Sequence, residues 1–377
     1  MSGTRAAVAA CAAGLLLAGA CDRAPETPDE PSVTAPEQPT PEPQPGPERG
    51  AEEPVEVITS VVAAGLEVPW DVTFTDDGRT FVTERDSGVL SELVDGQRRE
   101  VATLTVDPTG EGGLLGVAAS PAFPSDETLF VYATTSRDNR ILRLRLGQAP
   151  EPLLTGIPSG RVHNGGRLAF GPDGMLYATT GDAGQPALSP DPGSLAGKIL
   201  RLTADGDVPD DNPTPGSPVY ARGLRNAQGL AWDAEGTLVV TELGPDVDDA
   251  VLRVAPGSDQ GWNARSAGAG AGGRDFPEPL TVQQPPEASW SGAGFLRDGA
   301  IPQWEGDLFV AALRGQRLWR FPPDTADAEQ LLVGELGRLR HVTKAPDGSL
   351  WILTSNRDGR GRPAADDDRI IRLGPPP

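Results

Sequence analysis

Six copies of one unit, a Gly- or Asp-rich turn running straight into a short strand, predict an all-β chain folded as a six-bladed β-propeller. Three observations carry that prediction. The copies recur at Phe81 (TDDGRTFVTE), Phe130 (PSDETLFVYATT), Tyr177 (GPDGMLYATTGD), Val239 (DAEGTLVVTE), Phe309 (WEGDLFVAAL) and Trp351 (APDGSLWILTSN), each strand holding an aromatic or β-branched residue. Their intervals of 49, 47, 62, 70 and 42 residues suit four short strands per unit, with insertions in the two long ones. Composition agrees: 47 glycines and 39 prolines in 377 residues, with few long apolar runs, mean many turns and short strands rather than helices.

The first element is an export signal over residues 1–21. Arg5 supplies the positive start, Ala6 to Ala18 the apolar stretch, and small residues lead into Cys21. The apolar run is too short to span a bilayer. With Leu15, Leu16 and Leu17 just upstream, Cys21 sits in a lipobox-like position, which predicts a lipid anchor; an ordinary secretory signal with an incidental cysteine is the alternative. Cys11, the other cysteine, lies in the segment to be removed, so the mature chain holds no disulfide. The expected location is therefore outside the cytoplasm, in the periplasm or on the cell surface.

Residues 22–56 are rich in Pro and Glu without apolar periodicity, and are expected to be a disordered, solvated tether. Residues 57–377 hold the propeller domain. A formal net charge of −22 argues against nucleic acid or an anionic membrane surface as the primary partner. Only Lys198 and Lys344 are lysines among 32 basic residues, so an arginine here must be judged by its position.

Within each unit an apolar strand precedes the turn, and a polar cluster precedes that strand. The clusters lie at 68–71, 110–113, 162–165, 224–226, 289–292 and 338–341. His163 and Arg225 each fall fourteen residues before their marker, Tyr177 and Val239, and Arg338 falls thirteen before Trp351. Equal offsets in a radial repeat mean equivalent positions, so these side chains should converge at one mouth of the axis. A histidine, several arginines, an asparagine and a carboxylate would meet there, where a ligand is expected.

The stretches EGGLLGVAASPAF, HNGGRLAFGPDGMLYATTGD, LAGKILRL, GLRNAQGLAWD, TELGP, QWEGDLFVAALRGQRL and GRLRHVTKAPDGSLWILTSNRDGRG resemble the soluble quinoprotein glucose/sorbosone (aldose sugar) dehydrogenases, in the same order and across the whole domain. The resemblance implies a six-bladed propeller that binds pyrroloquinoline quinone (PQQ) and calcium, oxidises aldoses to lactones and passes electrons to an external acceptor. The chemistry is consistent with it. Oxidation at an anomeric carbon needs a base and a hydride acceptor, side chains cannot accept hydride, and no GxGxxG opens a helix for a nicotinamide. By the resemblance His163 is the general base, a role suited to an imidazole near neutral pH. Glu111, Arg225, Asn226, Arg314, Arg338 and Arg340 fall on cofactor-contact positions; arginine suits a tricarboxylate because it binds carboxylates through paired hydrogen bonds. Arg314 stands where soluble glucose dehydrogenase has a lysine. Gly244 and Pro245 match the backbone carbonyls that hold calcium, a cation that accepts such ligands.

Several positions depart from the family pattern. Leu243 replaces a polar residue before Gly244, and Ala250 follows Asp248 and Asp249 where an acid is typical, which counts against a second calcium. Val162 replaces an aspartate beside the base and weakens any inference of glucose specificity. Trp290 is expected to pack in its blade, and His341 to be a solvent-facing neighbour of Arg340. Two alternatives stay open at this point: a non-catalytic quinone- or sugar-binding propeller, and a lactonase-type hydrolase.

Overall fold

The turn-and-strand units join the first two strands of six four-stranded antiparallel sheets. The computed structural model of the chain describes residues 55–245, 247–262, 264, 276–323 and 328–376; the expected signal, Cys21 and nearly all of the expected tether lie outside them. After β1 (Ile58–Ala63) the first blade is β2 (Pro69–Phe74), β3 (Thr80–Glu84), β4 (Val89–Val94) and β5 (Gln97–Thr103). The second is β6 (Leu114–Ala119), β7 (Thr128–Thr134), β8 (Asn139–Arg145) and β9 (Glu151–Ile157). The third is β10 (Leu168–Phe170), β11 (Leu176–Thr179), β12 (Lys198–Leu202) and β13 (Val219–Arg222). The fourth is β14 (Ala227–Trp232), β15 (Leu238–Glu242), β16 (Asp249–Val254) and β17 (Thr281–Gln283). The fifth is β18 (Trp290–Phe295), β19 (Leu308–Ala312), β20 (Arg317–Phe321) and β21 (Glu329–Leu331). The sixth is β22 (Leu339–Lys344), β23 (Leu350–Thr354) and β24 (Ile370–Gly374), completed by β1.

That last pairing closes the ring. β1 runs antiparallel to β24 from Ile58 opposite Gly374 to Ala63 opposite Ile370, so the two ends of the domain share one sheet. The pairing covers the outer side of β24 and ties the two ends of the ring together, while each blade keeps one outer edge strand.

The repeated turns have a local cause. Gly78, Gly174, Gly236 and Gly348 each adopt a positive φ, between 76° and 86°, and each N–H returns to a carbonyl three residues back. The second blade lacks that glycine. It substitutes a single helical turn, Phe123–Asp126, ended by Glu127 in the left-handed region. The marker residues all lie on second strands, which are sandwiched between neighbouring blades. β19 (LFVAA) and β15 (LVVTE) are buried along their whole length, which is why β19 and the first three residues of β15 read as continuous apolar runs rather than alternating ones. Trp290 is packed as expected, fully buried against Trp319 and Phe321.

His341 differs from expectation. It is 6% exposed, faces the axis rather than solvent, and sets Nε2 3.3 Å from Asp71. Its strand is innermost, and Gly292 on the neighbouring blade leaves the space its ring occupies: a Cβ there would lie 2.1 Å from His341 Nδ1.

Candidate active site

The chain must turn sharply to enter each inner strand, which leaves a backbone N–H to satisfy. In five blades a side chain accepts it: Glu84 from Glu67, Glu111 from His163, Glu242 from Arg225, Asp249 from Ser289 and Asn356 from Arg338. One face of the propeller is thus ringed by anchored loops, and His163, Arg225 and Arg338 occupy equivalent places on that ring.

His163 adopts φ 59°, in the left-handed region that non-glycine residues avoid. Its backbone is held on both sides: the N–H donates to Glu111 Oε2 at 2.9 Å, and the carbonyl accepts from Ala183 N at 3.1 Å. Gly181 makes room, since a Cβ there would lie 1.9 Å from the His163 carbonyl oxygen. The ring Nδ1 lies 2.7 Å from Asp182 Oδ1. Asp182 is wholly buried and also accepts from Gly184 N (2.8 Å) and Trp262 Nε1 (3.0 Å). A carboxylate only accepts, so in the neutral ring Nδ1 carries the hydrogen and Nε2 keeps the lone pair. The His163 side chain is 16% exposed, enough for that nitrogen to meet a small molecule.

The arginines extend from this pair. Arg225 gives its carbonyl to Asp182 N at 2.7 Å, donates from Nη1 to Leu243 O at 2.9 Å, and stacks its guanidinium 5.5 Å from the Trp262 ring. Burial pulls its pKa down, opposed by the charges of Asp182, Glu111, Glu242 and Asp249. Asn226 is buried, and its Oδ1 accepts from Gly165 N at 3.1 Å, which ties it to the His163 loop. Arg314 is exposed, and its charge, like that of Arg225, acts on Asp249.

On the other side of the mouth, Arg338 forks onto Asp358 at 3.0 and 2.7 Å, and Arg340 approaches the same carboxylate at 3.8 Å. Burial raises the Asp358 carboxyl, but the two arginines outweigh it and hold the group below its usual range. Arg340 sits deeper, donating from Nη1 to Gln228 Oε1 at 2.9 Å while its buried Nε has no partner among the described residues. Glu111 closes the circuit with an ion pair of 3.0 Å to Arg360, whose N–H donates to Asp358. Burial disfavours the Glu111 carboxylate, yet the His163 N–H and Arg360 keep its pKa below the ordinary value. One network therefore joins His163, Glu111, Arg225, Asn226, Arg338 and Arg340, while Arg314 makes no hydrogen bond to it.

An anionic cofactor fits this donor set: Arg314 is exposed, Arg225 is stacked on Trp262, and the buried Arg340 Nε has no partner among the described residues. The Gly244–Pro245 turn is held by Asp249, whose Oδ1 accepts Gly244 N at 2.7 Å. Burial pushes Asp249 up to about 6 despite the Ser289 and Gly244 N–H groups. Neither carbonyl of the turn accepts a bond from the described residues, which leaves both available to a cation. Among the described residues no three His, Cys, Asp or Glu side chains cluster as metal ligands.

Asp182, Trp262, Asp249, Asp358 and Arg360 did not emerge from the sequence. Asp182 had one available signal, because an acid ends the second strand or follows it closely at Glu84, Asp182 and Glu242.

Comparison with known proteins identifies the family. A PQQ-bound aldose sugar dehydrogenase from Streptomyces coelicolor has the same fold, with a TM-score of 0.78, 42% identity, and coverage of 85% of this chain and 99% of that one. Aldose sugar dehydrogenase YliI of Escherichia coli is 26% identical over 342 residues, 81% of this chain and 92% of the relative. Quinoprotein glucose dehydrogenase B of Acinetobacter calcoaceticus is 27% identical over 419 residues, 82% of this chain and 87% of the relative. The family model for glucose/sorbosone dehydrogenase matches residues 66–371, nearly the whole ring of blades, and the chain belongs to that family.

Proposed function

We propose that this oxidoreductase of the glucose/sorbosone dehydrogenase family oxidises aldose sugars at the anomeric carbon to lactones, with His163 as general base. The observation that carries the reading is the His163–Asp182 pair at 2.7 Å, set in a mouth lined by Arg225, Arg314, Arg338 and Arg340. His163 Nε2 takes the proton of the anomeric hydroxyl. Asp182 keeps the imidazole in the tautomer able to do so and stabilises the charge it gains. PQQ, when bound, supplies the hydride acceptor, and a calcium ion on the Gly244 and Pro245 carbonyls would polarise its quinone carbonyl. The arginines would hold the cofactor's carboxylates and Asn226 would lie beside them. Glu111 fixes the His163 backbone. An external acceptor would take up the electrons.

The non-catalytic alternative finds less support, because the buried acid behind His163 is what a base requires and a binding module does not. The departure at Leu243 costs little, since that residue serves Arg225 through its backbone carbonyl. A lactonase-type site would need carboxylate metal ligands at the axis, where arginines predominate. The reading includes export and a lipid tether at Cys21, tested by mass analysis of the amino-terminal peptide.

The test is reconstitution of purified protein with PQQ and calcium, assayed on an aldose panel with an artificial dye. Dye reduction is expected, and none across the panel would reject the reading. His163→Ala should abolish turnover and leave PQQ binding intact; tight binding without turnover in the wild type would favour the binding module.

A further inference from the structure

We propose that the axial cavity along the inner strands binds a small monovalent anion, a halide or the head of a short carboxylate. The cavity, about 340 Å³, is lined by inner-strand residues from all six blades and lies farther along those strands than the His163 loops. It uses none of the residues assigned to sugar oxidation.

The polar wall is donor-rich. Asp71, its one carboxylate, is already engaged: Oδ1 accepts Val72 N at 2.9 Å and lies 2.5 Å from Arg167 Nη1 and 3.3 Å from His341 Nε2, while Oδ2 accepts Val117 N at 3.0 Å. Arg167 is 2% exposed and stacks 4.1 Å from the Trp70 ring. Its Nε donates to Gln228 O at 2.9 Å, and Nη2 has no partner among the described residues. Lys344 spends one N–H on Arg297 O at 2.8 Å and keeps two. Thr73 Oγ1 accepts Ala119 N, which leaves its own O–H to donate.

Three unspent donors from blades one, three and six thus line this space, against which His341 Nδ1 is a buried acceptor without a partner among the described residues. The charges do not balance either, with Arg167 and Lys344 set against Asp71 alone. Burial holds His341 neutral. Asp71 pairs Arg167, so the surplus charge is that of the half-buried Lys344, and an anion would supply its counter-charge together with acceptors for the unspent donors. Phe74, Phe170 and Phe295 form apolar wall that could receive a short alkyl tail. The room exceeds what one ion needs, a water occupying about 30 Å³.

Two measurements on the full chain test this. Crystals grown in sodium bromide should show an anomalous bromine peak in contact with Arg167 Nη2 and Lys344 Nζ. In solution, the thermal midpoint should rise saturably with bromide, acetate or butyrate at fixed ionic strength, and a response to either anion class supports the site. Lys344→Met keeps the stem of a half-buried side chain and should weaken the apparent affinity about tenfold. A cavity free of anomalous density, or identical salt responses of wild type and Lys344→Met, would overturn the proposal.

Discussion

Asp182→Asn alters the chemistry behind the base while nearly preserving shape. Asp182 accepts three hydrogen bonds, from His163 Nδ1 at 2.7 Å, Gly184 N at 2.8 Å and Trp262 Nε1 at 3.0 Å. An amide offers one oxygen and one NH₂ group. With its oxygen towards His163, the NH₂ meets the Trp262 N–H donor to donor. Flipped, the NH₂ donates to Nδ1, the ring hydrogen moves to Nε2, and His163 can no longer take a proton from substrate. In the first orientation the imidazolium formed in the reaction also loses its buried counter-charge. A hydrogen bond to a charged group contributes about 1.5–3 kcal/mol, and each 1.36 kcal/mol is tenfold in rate, so kcat should fall roughly 10- to 150-fold. Any flipped fraction lowers it further. Steady-state dye reduction by PQQ-loaded enzyme gives kcat and KM, and an absorbance titration gives cofactor affinity; the last two should change far less than kcat, since the carboxylate bonds the base directly and reaches Arg225 only through its charge. Trp262→Phe removes one donor from the same carboxylate and should cost about tenfold or less. An Asp182→Asn enzyme with near-wild-type kcat and normal cofactor binding would refute the idea that Asp182 sets the tautomer.

Three further outcomes follow from particular contacts. Arg314→Glu reverses an exposed charge at the mouth and should weaken PQQ binding by about tenfold or more, read by titration; unchanged affinity would remove Arg314 from the cofactor site. Gly292→Ala sets a Cβ 2.1 Å from His341 Nδ1 and 2.8 Å from its Cα. It should destabilise the fold by about 1–3 kcal/mol in urea, and a negligible change would show that the inner strands can yield. The third concerns pH. Burial drops His341 well below its ordinary 6.5, so its contribution to stability is lost as pH falls through that value. Burial raises Asp71 and Asp249 to about 6, and their contribution runs oppositely, present at low pH and lost as pH rises through 6. The two effects oppose one another between about pH 7 and 5. His341→Gln keeps a donor towards Asp71 and removes one side of the balance, so acidification over that range should favour the variant over wild type by about 2 kcal/mol. Equal pH slopes in urea would mean that His341 is not held neutral.

The blades were visible in the sequence because their signal is local. A positive-φ glycine such as Gly78 and the buried strand behind it, Thr80–Glu84, are adjacent in the chain and dictated by one turn and two-sided burial. The closing strand was not visible. Ile58–Ala63 is largely exposed, carries no marker, and finds its partner at the far end of the domain, so only the completed ring selects it. The site divides in the same way. His163, Arg225 and Arg338 could be brought together from equal offsets, since a radial repeat converts offset into position. His341 was misplaced because offset gives a residue's height along a strand and not the space its neighbour leaves, here a glycine. Trp262 shows the sharper limit: it lies between β16 and β17, within the longest interval of the repeat, which periodicity treats as mere interruption. Yet its indole N–H bonds the acid behind the base and its ring stacks on Arg225. Strands must keep to the period to build the ring, whereas an inserted loop is free to fold over the mouth. Such insertions can therefore hold the residues that distinguish one mouth from another.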